Sequence, residues 1–212
     1  MRSCPQMPGL SVLQHGESVN AFFLDLHAHL TQGSGLTNEW RLPSWVHDAQ
    51  ILPGLLPLDI LSEYQIMHDC GKPRCRTVDA EGRQHFPDHA RVSAETYRQI
   101  SQVTSQENPD PATSPDDVPS GDRQAAQDRD LTIIRLISMD MDAHLLKSED
   151  LPAFAQRPEA ISLLVTALCE IHANAVMFGG IESTSFKIKW KHLEKRGRQV
   201  LAERARSRQA PS

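Results

Sequence analysis

Aromatic residues, cysteines and long apolar runs are all scarce in this chain of 212 residues. Phe, Trp and Tyr together make up 5%, so a core must rest mainly on Leu, Ile, Val, Ala and Met. No stretch approaches the roughly 20 consecutive apolar residues of a membrane-spanning helix, and the N-terminus lacks the apolar core of a secretory signal. We therefore expect a cytoplasmic protein with no membrane partner, folded as a single domain over residues 1–212.

The few cysteines are irregularly spaced, at Cys4, Cys70, Cys75 and Cys169. In a reducing compartment we expect them to be free thiols. Four residues separate Cys70 from Cys75, whereas cysteines that bind zinc usually stand closer, as C-x2-C. Two thiols in a turn is the simpler interpretation, and a zinc-stapled structural protein is the alternative.

Charge is low overall but unevenly distributed. The net charge of -5 argues against a general nucleic-acid coat protein. Residues 107–150 carry 11 acidic against 4 basic side chains, and residues 187–208 carry 9 basic against 2 acidic ones. A basic C-terminal helix, with a tail over residues 191–212, could lie over a polyanionic substrate, or it could be the solvated face of a helix.

The spacing of apolar residues predicts an all-α fold, since there is no internal repeat and no alternation of strands with helices. The predicted helices cover residues 11–30, 55–67, 87–103, 131–147, 158–177 and 192–206, with a short one after Pro43. Residues 71–86 form a polar connection in this interpretation. The alternation of Phe186, Ile188 and Trp190 with lysines is typical of a half-buried extended segment.

One long stretch, residues 104–130, is rich in Pro, Asp, Ser and Gln and almost free of large apolar side chains. Such a segment cannot bury enough apolar surface to offset the entropy lost on ordering. We therefore predict a flexible or disordered acidic insert there.

The most informative string is His68-Asp69-Cys70-Gly71-Lys72-Pro73, which follows an apolar-rich segment. An imidazole and a carboxylate side by side at a helix end could both face one metal ion. The following Gly-Lys-Pro turns the chain and places an ammonium group beside that ion. A metal next to a fixed cation is suited to phosphate-ester chemistry.

Other polar side chains stand on otherwise apolar helices, namely His15, His89, Asp140, Glu170 and His172. A single polar group in such a place is more often a hydrogen-bonded core residue than a ligand. Several of them, on separate helices of one all-α chain, indicate a shared site instead.

The order of a histidine, a His-Asp pair and a late carboxylate resembles the HD-domain metal-dependent phosphohydrolases. His15 resembles the first histidine of that family, residues 68–72 resemble its HD-x-G-K motif, and His89 with Ser93 and Ala94 resembles the further histidine of binuclear members. The resemblance covers roughly residues 10 to 185. It implies a single HD-type helical bundle that holds one or two divalent ions, of Mn, Co, Ni, Fe, Zn or Mg. Two short strings, at residues 68–73 and 85–89, carry a narrower likeness. They resemble HD modules associated with RNA-repair polynucleotide kinases.

The resemblance also implies the metal ligands. One ion would be held by His15, His68, Asp69 and Glu170, and a second by His89 and Asp140. The last ligand of the family is usually an Asp rather than a Glu, so Asp140, Asp142 and His172 are alternatives to Glu170. His27 and His29 compete with His15 for the first position.

The implied activity is a metal-dependent phosphohydrolase that cleaves phosphate esters of nucleotides or RNA ends, either 2′,3′-cyclic or terminal phosphates. Asp69 and Lys72 are the predicted catalytic residues, because Lys72 would neutralise the phosphoryl oxygens as charge builds. Further candidates for substrate binding are Arg74, Arg76, Ser183, Ser185, Lys187 and Lys189, and for each of them surface solubility is the alternative. The rival functions are a nucleotidase that acts on free nucleotides or deoxynucleotides and a degenerate HD binding module without turnover. Neither the metal nor the oligomeric state follows from the sequence.

Overall fold

The computed structural model describes residues 1–7, 9–107 and 120–209. Helices dominate this part of the chain, as predicted, so the fold is all-α. In chain order the α-helices are α1 (Val12–Gln32), α2 (Ile51–Gly54), α3 (Leu58–Met67), α4 (Lys72–Cys75), α5 (His89–Glu107), α6 (Ser120–Ser138), α7 (Asp142–Leu145), α8 (Leu151–Gln156), α9 (Ala160–Ala173) and α10 (Thr184–Gln209). Short 3-10 helices cover Ser44–His47 and Ala175–Phe178.

Four very short strands form two antiparallel hairpins in the described part of the chain. Strand β1 (Pro5–Met7) pairs with β2 (Leu10–Ser11), and β3 (Thr77–Val78) pairs with β4 (Gln84–His85). The second hairpin lies in the predicted polar connection, and Gly82 at its turn has a φ of 78°, in the left-handed region that favours glycine.

Helix α9 is the centre of the fold. All of its residues from Ala160 to His172 are buried, since its sequence is apolar on almost every side. It packs against α1, α7, α8 and α10. Because Glu170 and His172 stand in its last turn, the same apolar helix carries two ionisable side chains into the interior.

The first helix begins where it is predicted, at a capping box in which the Ser11 hydroxyl accepts a hydrogen bond from the backbone N–H of Gln14. It ends at Gly33, which has a φ of 68°. Its inward face, including Val19, Phe23 and Leu26, lies against α3 and α9. This arrangement places His15, near its N-terminus, beside the end of α3.

The extended segment predicted for residues 186–190 is wrong, because these residues lie in α10. Phe186, Trp190 and Leu193 are also spaced by four and three residues, so they fit one face of a helix as well as alternate positions of a strand. Phe186 is fully buried and Leu193 is 1% exposed, whereas Ile188 is 65% exposed. The helical period therefore decides which side chains are buried.

The basic C-terminal segment is part of the core structure rather than a separate tail. Val200 and Leu201 are buried, and α10 packs against α8 and α9. Several of its basic side chains are exposed, Lys191 and Lys195 among them, whereas Arg204 is half-buried and donates to the carbonyl oxygens of Ala155 and Arg157.

Helices extend into both ends of the predicted acidic insert. Residues 104–107 belong to α5 and residues 120–130 to α6, while residues 108–119 lie outside the described residues. The middle of α6 is held to α3 by ion pairs, because Arg129 lies 2.5 Å from Glu63 and 3.1 Å from Asp59. Contacts between charged groups thus replace the apolar burial that the composition lacks.

The continuous helix predicted for residues 131–147 is interrupted. Helix α6 ends at Ser138 and α7 begins at Asp142, with a turn between them. Asp140 stands in this turn and is 3% exposed. The break therefore lets a carboxylate point inward from a stretch that is otherwise helical.

None of the described helices is both long enough and apolar enough to cross a membrane.

The loop after α1 is held by one carboxylate, that of Asp25. It accepts hydrogen bonds from the backbone N–H of Thr37 at 2.9 Å, from that of Asn38 at 2.9 Å and from the Trp40 indole at 2.9 Å. Burial opposes ionisation, but these donors outweigh it and lower the pKa of Asp25 below its ordinary value of 3.8.

Replacing Asp25 with alanine should lower the free energy of unfolding by about 2 kcal/mol at pH 7, since several donors lose a charged acceptor. A pKa that is lower in the folded state stabilises the fold above the unfolded pKa near 3.8, and this contribution is lost as the pH falls below it. Urea unfolding of the wild type and the variant at pH 7 and pH 3 measures the difference. An equal difference at both pH values would contradict the prediction.

Candidate metal centre

The His-Asp-Cys-Gly-Lys string forms the tight connection between α3 and α4. His68 is the residue that caps the C-terminus of α3, directly after Met67, and Lys72 begins α4. His68 is fully buried, Asp69 is 1% exposed and Lys72 is 8% exposed. The connection therefore holds an imidazole, a carboxylate and an ammonium group inside the protein, where each requires a partner.

Two glycines let the neighbouring helices approach this connection closely. A Cβ atom on Gly16 would lie 2.3 Å from the carbonyl oxygen of Ile66, and one on Gly71 would lie 2.4 Å from the backbone nitrogen of Ser93. The backbone N–H of Gly71 also donates to the Ser93 hydroxyl at 2.9 Å. These contacts bring α1 and α5, and with them the histidines near their N-termini, to the His-Asp pair.

Side chains from several helices converge on His68 and Asp69. The Nε2 atom of His68 lies 3.2 Å from Oδ2 of Asp69 and 3.0 Å from Oε1 of Glu170, and Nε2 of His15 lies 3.8 Å from the same Asp69 oxygen. Two overlapping groups, His15–His68–Asp69 and His68–Asp140–Glu170, each offer ligand atoms within 4.8 Å of one another. These groups could hold a metal ion.

His89 and Asp140 approach the centre from different sides. Nε2 of His89 lies 3.9 Å from Oδ1 of Asp69, whereas Asp140 accepts a hydrogen bond from the Tyr64 hydroxyl at 2.6 Å. Within the described ranges, no potential metal-binding group contains both of these residues. Their pairing around a second ion stays a prediction.

The hydrogen bonding of His68 leaves one ring nitrogen facing the carboxylates. Its Nδ1 lies 2.7 Å from the carbonyl oxygen of Gln65, which makes that nitrogen the donor. The Nε2 atom of His68 and the Oδ1 atom of Asp69 are buried, and neither has a hydrogen bond with the described residues. A neutral imidazole would direct a lone pair at two carboxylates, so a proton or a cation must occupy the space between them.

Negative charge exceeds fixed positive charge in this centre. Three buried carboxyl groups, those of Asp69, Asp140 and Glu170, face one buried ammonium, that of Lys72; with all three ionised, two negative charges remain before the histidines are counted. A divalent cation would balance two such charges, and its binding would displace protons from the histidines.

The pKa shifts reflect the same crowding. Burial opposes charge on His68, but Asp69 and Asp140 raise the pKa of its imidazole well above the ordinary value. Burial, together with Glu170, raises the pKa of Asp140 to about 7. Burial acts against ionisation of Glu170 as well, yet His144 and His68 hold its pKa well below the usual range.

Lys72 lies beside the candidate ligands, as expected from the motif. Its Nζ lies 2.5 Å from Oδ2 of Asp69 and forms an ion pair with it, although the angles do not meet hydrogen-bond geometry. The same Nζ donates a hydrogen bond to Oε1 of Gln6 at 3.0 Å. The ammonium also lies 5.2 Å from the centre of the Phe86 ring. It is therefore held at the mouth of the centre by three different elements.

His172 has a structural role. Its Nε2 accepts a hydrogen bond from the backbone N–H of Arg41 at 3.1 Å, and its Nδ1 donates to the carbonyl oxygen of Leu168 at 2.7 Å. Burial lowers its pKa to about 4, so the ring is neutral at pH 7. With both nitrogens in use, it has no lone pair left for a metal.

The remaining alternatives lie away from the centre. Asp142 pairs with Arg157, His29 contacts the carbonyl oxygen of Ser34, and the ring of His27 packs near Phe23. No potential metal-binding group in the described chain includes any of these residues or a cysteine. The geometry thus keeps His15, Glu170 and Asp140 as candidate ligands and gives the zinc-stapled alternative no support.

A cavity of about 470 Å³ opens onto the centre. Of the predicted substrate-binding residues, Lys72 and Lys189 line it. The others lie outside the lining, namely Arg74, Arg76, Ser183, Ser185 and Lys187. Several of them already have partners, since Arg74 donates to Gln99 and Lys187 pairs with Glu182.

The sequence interpretation missed Tyr64, His144, His192 and Gln6. Tyr64 stands four residues before His68 at the end of one helix, and His144 stands four residues after Asp140, so the helix predicted for residues 131–147 would have put each on one face with a predicted ligand. Nε2 of His144 lies 2.5 Å from Oε2 of Glu170. The four-residue spacing could have identified both residues, whereas Gln6 reaches Lys72 only through the tertiary fold.

No family model, no curated protein and no solved structure matches this chain. The resemblance to the HD-domain phosphohydrolases therefore rests on the motif residues and on the geometry of the centre.

Proposed function

We propose that this chain is a metal-dependent phosphohydrolase that cleaves phosphate esters of nucleotides or RNA ends. One observation carries the proposal. The Nε2 atom of His68 is buried without a hydrogen bond and lies within 3.2 Å of the carboxylates of Asp69 and Glu170, beside a cavity lined by Lys72. An imidazole and carboxylate donor set with excess negative charge fits a divalent cation of the Mn, Fe, Co, Ni, Zn or Mg type. The resemblance to the HD-domain family supports the same activity.

In this proposal His15, His68, Asp69 and Glu170 hold one divalent ion. Such an ion supplies Lewis acidity and a bound water of lowered pKa. The Nε2 lone pair of His68 can serve only one ion, so the two overlapping groups of ligand atoms cannot both be filled through His68. A second ion would instead require Asp69 Oδ1 and His89, which face the cavity side.

Lys72 acts on the substrate in this mechanism. Its ammonium lies at the boundary between Asp69 and the cavity, and a phosphoryl oxygen entering the cavity would take the place of Gln6 as its partner. A preorganised donor of this kind typically stabilises the transition state by on the order of 3 kcal/mol. If only one ion is bound, His89, partly exposed in the same lining, is free to hydrogen-bond the phosphoryl group from the other side.

The direct test is an assay with a panel of divalent ions and phosphate esters. Purified protein with Mn, Co, Ni, Zn or Mg should release phosphate from nucleotides or from phosphorylated RNA ends, or open a 2′,3′-cyclic phosphate. Phosphate release and chromatography of the RNA products measure the two outcomes. A protein that binds no metal, gains no thermal stability from any of these ions and turns over no ester would be the binding module instead.

Salt dependence separates the RNA-end enzyme from the nucleotidase. If the basic face of α10 binds the RNA backbone, activity on an oligonucleotide should fall with salt, whereas activity on a mononucleotide should hardly change. A Lys191→Gln, Lys195→Gln double variant should flatten the salt dependence for the oligonucleotide without unfolding α10, because both side chains are exposed.

A further inference from the structure

The two ends of the cavity are chemically different. The buried end carries ionisable side chains, among them those of His15, Asp69, Lys72 and Glu170. The outer wall is apolar and comes from three elements, with Leu145 on α7, Phe178 at the end of the second 3-10 helix and Ile188 on α10. A ligand that fills this space would contact charge at one end and hydrocarbon at the other.

The apolar side chains of this wall are unusually exposed to solvent. Leu145 is 67% exposed and Ile188 is 65% exposed, and only Val176, at 78%, is more exposed among the large apolar residues of the described chain. Val176 belongs to the same 3-10 helix as Phe178. Exposed apolar side chains that cluster at the mouth of one cavity are a recognised sign of a binding surface.

The charge around the wall suits an anionic ligand. Apart from Asp69 and Glu170 at the buried end, the described lining contains no acidic residue. Lys189 stands on the outer wall, with its ammonium 5.1 Å from the centre of the Phe178 ring. A negatively charged head and an apolar body would both find complementary groups, whereas a polar, heavily hydroxylated body would leave the wall uncompensated.

We infer that, within the proposed activity, the cavity takes a phosphate monoester whose alcohol presents an apolar face, such as that of a nucleobase, rather than a sugar alone. The phosphate lies at Lys72 and the ligands of the centre, which rests on the proposed function, and the apolar face lies against Leu145, Phe178 and Ile188. Binding removes the water from this wall, and the affinity for the ester therefore rises with the apolar area of the alcohol.

The inference is tested by binding of phosphonates, which present the phosphate-like head but cannot be hydrolysed. The affinities of methyl-, butyl- and hexylphosphonate for the manganese-loaded protein are measured by isothermal titration calorimetry. Each methylene that reaches the wall should tighten binding by about fourfold. In a Leu145→Ser, Ile188→Ser double variant, hexylphosphonate should lose at least about tenfold in affinity, while methylphosphonate should bind as it does to the wild type.

A matched control is Leu131→Ser, since Leu131 is 55% exposed but lies on α6, away from this cavity. It should leave all three affinities unchanged. Equal affinities for the three phosphonates would contradict binding of the apolar group to this wall, while leaving the phosphate site in place. A chain-length dependence that survives in the double variant would contradict it as well. A chain-length dependence without turnover of any ester would uphold the wall and count against the phosphohydrolase. Absence of binding for every phosphonate would overturn both.

Discussion

Replacing Asp69 with asparagine should reduce metal-dependent hydrolysis of phosphate esters by about 10³-fold or more, with the chain still folded. Asp69 is the carboxylate that His15, His68 and Lys72 all approach, so it is the centre of the candidate ligand set. Asparagine has nearly the same shape but no charge. The variant should therefore keep the packing of the α3–α4 connection and lose the charge that holds a divalent ion.

Three measurements separate loss of the ion from loss of the fold. Circular dichroism should be unchanged, the metal content of the purified variant should fall, and the rise in melting temperature on adding Mn should disappear. The control is Asp142→Asn, because this carboxylate stands near the centre in sequence but pairs with Arg157. Full activity of the Asp69 variant, or loss of its activity with metal content unchanged, would remove Asp69 as a metal ligand.

The parts of this centre that follow from local sequence were predictable. His68, Asp69 and Lys72 are adjacent, so their meeting requires only a tight turn after a helix. His15 followed from its position near the start of an amphipathic helix. These are properties of a few neighbouring residues, and the fold brings His68 and Lys72 to the same oxygen of Asp69.

The late carboxylate did not follow from local sequence. Asp140, Asp142, Glu170 and His172 all stand on apolar stretches, and only the packing of α7 and α9 tells them apart. A backbone N–H from the distant loop at Arg41 occupies the outward nitrogen of His172, and Arg157 neutralises Asp142. Contacts between residues so far apart leave no periodic signal in the chain.

The two wrong assignments of secondary structure have a common physical cause. An apolar residue at every second position over five residues also satisfies the helical spacing of four, so Phe186 and Trp190 fit either structure. The break between α6 and α7 was equally hidden, because the apolar pattern of residues 131–147 continues through it. In both places tertiary packing decides, through the burial of α10 against α9 and through the contact of Asp140 with Tyr64.

The glycine of the HD-x-G-K string should be intolerant of any side chain. Gly71 has a φ of −84°, which every residue adopts readily, so its conformation does not require glycine. The requirement comes from space, since a Cβ atom there would lie 2.4 Å from the nitrogen of Ser93 and 2.5 Å from the carbonyl carbon of Val92. Both are backbone atoms of α5, so no side-chain rotation relieves the contact and the helix itself must move.

Gly71→Ala should therefore destabilise the protein by about 3 kcal/mol in urea unfolding and abolish hydrolysis, because a shift of α5 carries His89 away from Asp69. The matched control is Gly121→Ala on α6, where a Cβ atom meets nothing within 4 Å and where alanine should stabilise the helix by up to about 1 kcal/mol. Adding Ser93→Gly to the Gly71 variant should not restore stability, since it removes a side chain and leaves the obstructing backbone in place. Rescue by that second change would show that the Ser93 side chain, rather than the path of α5, keeps this position a glycine.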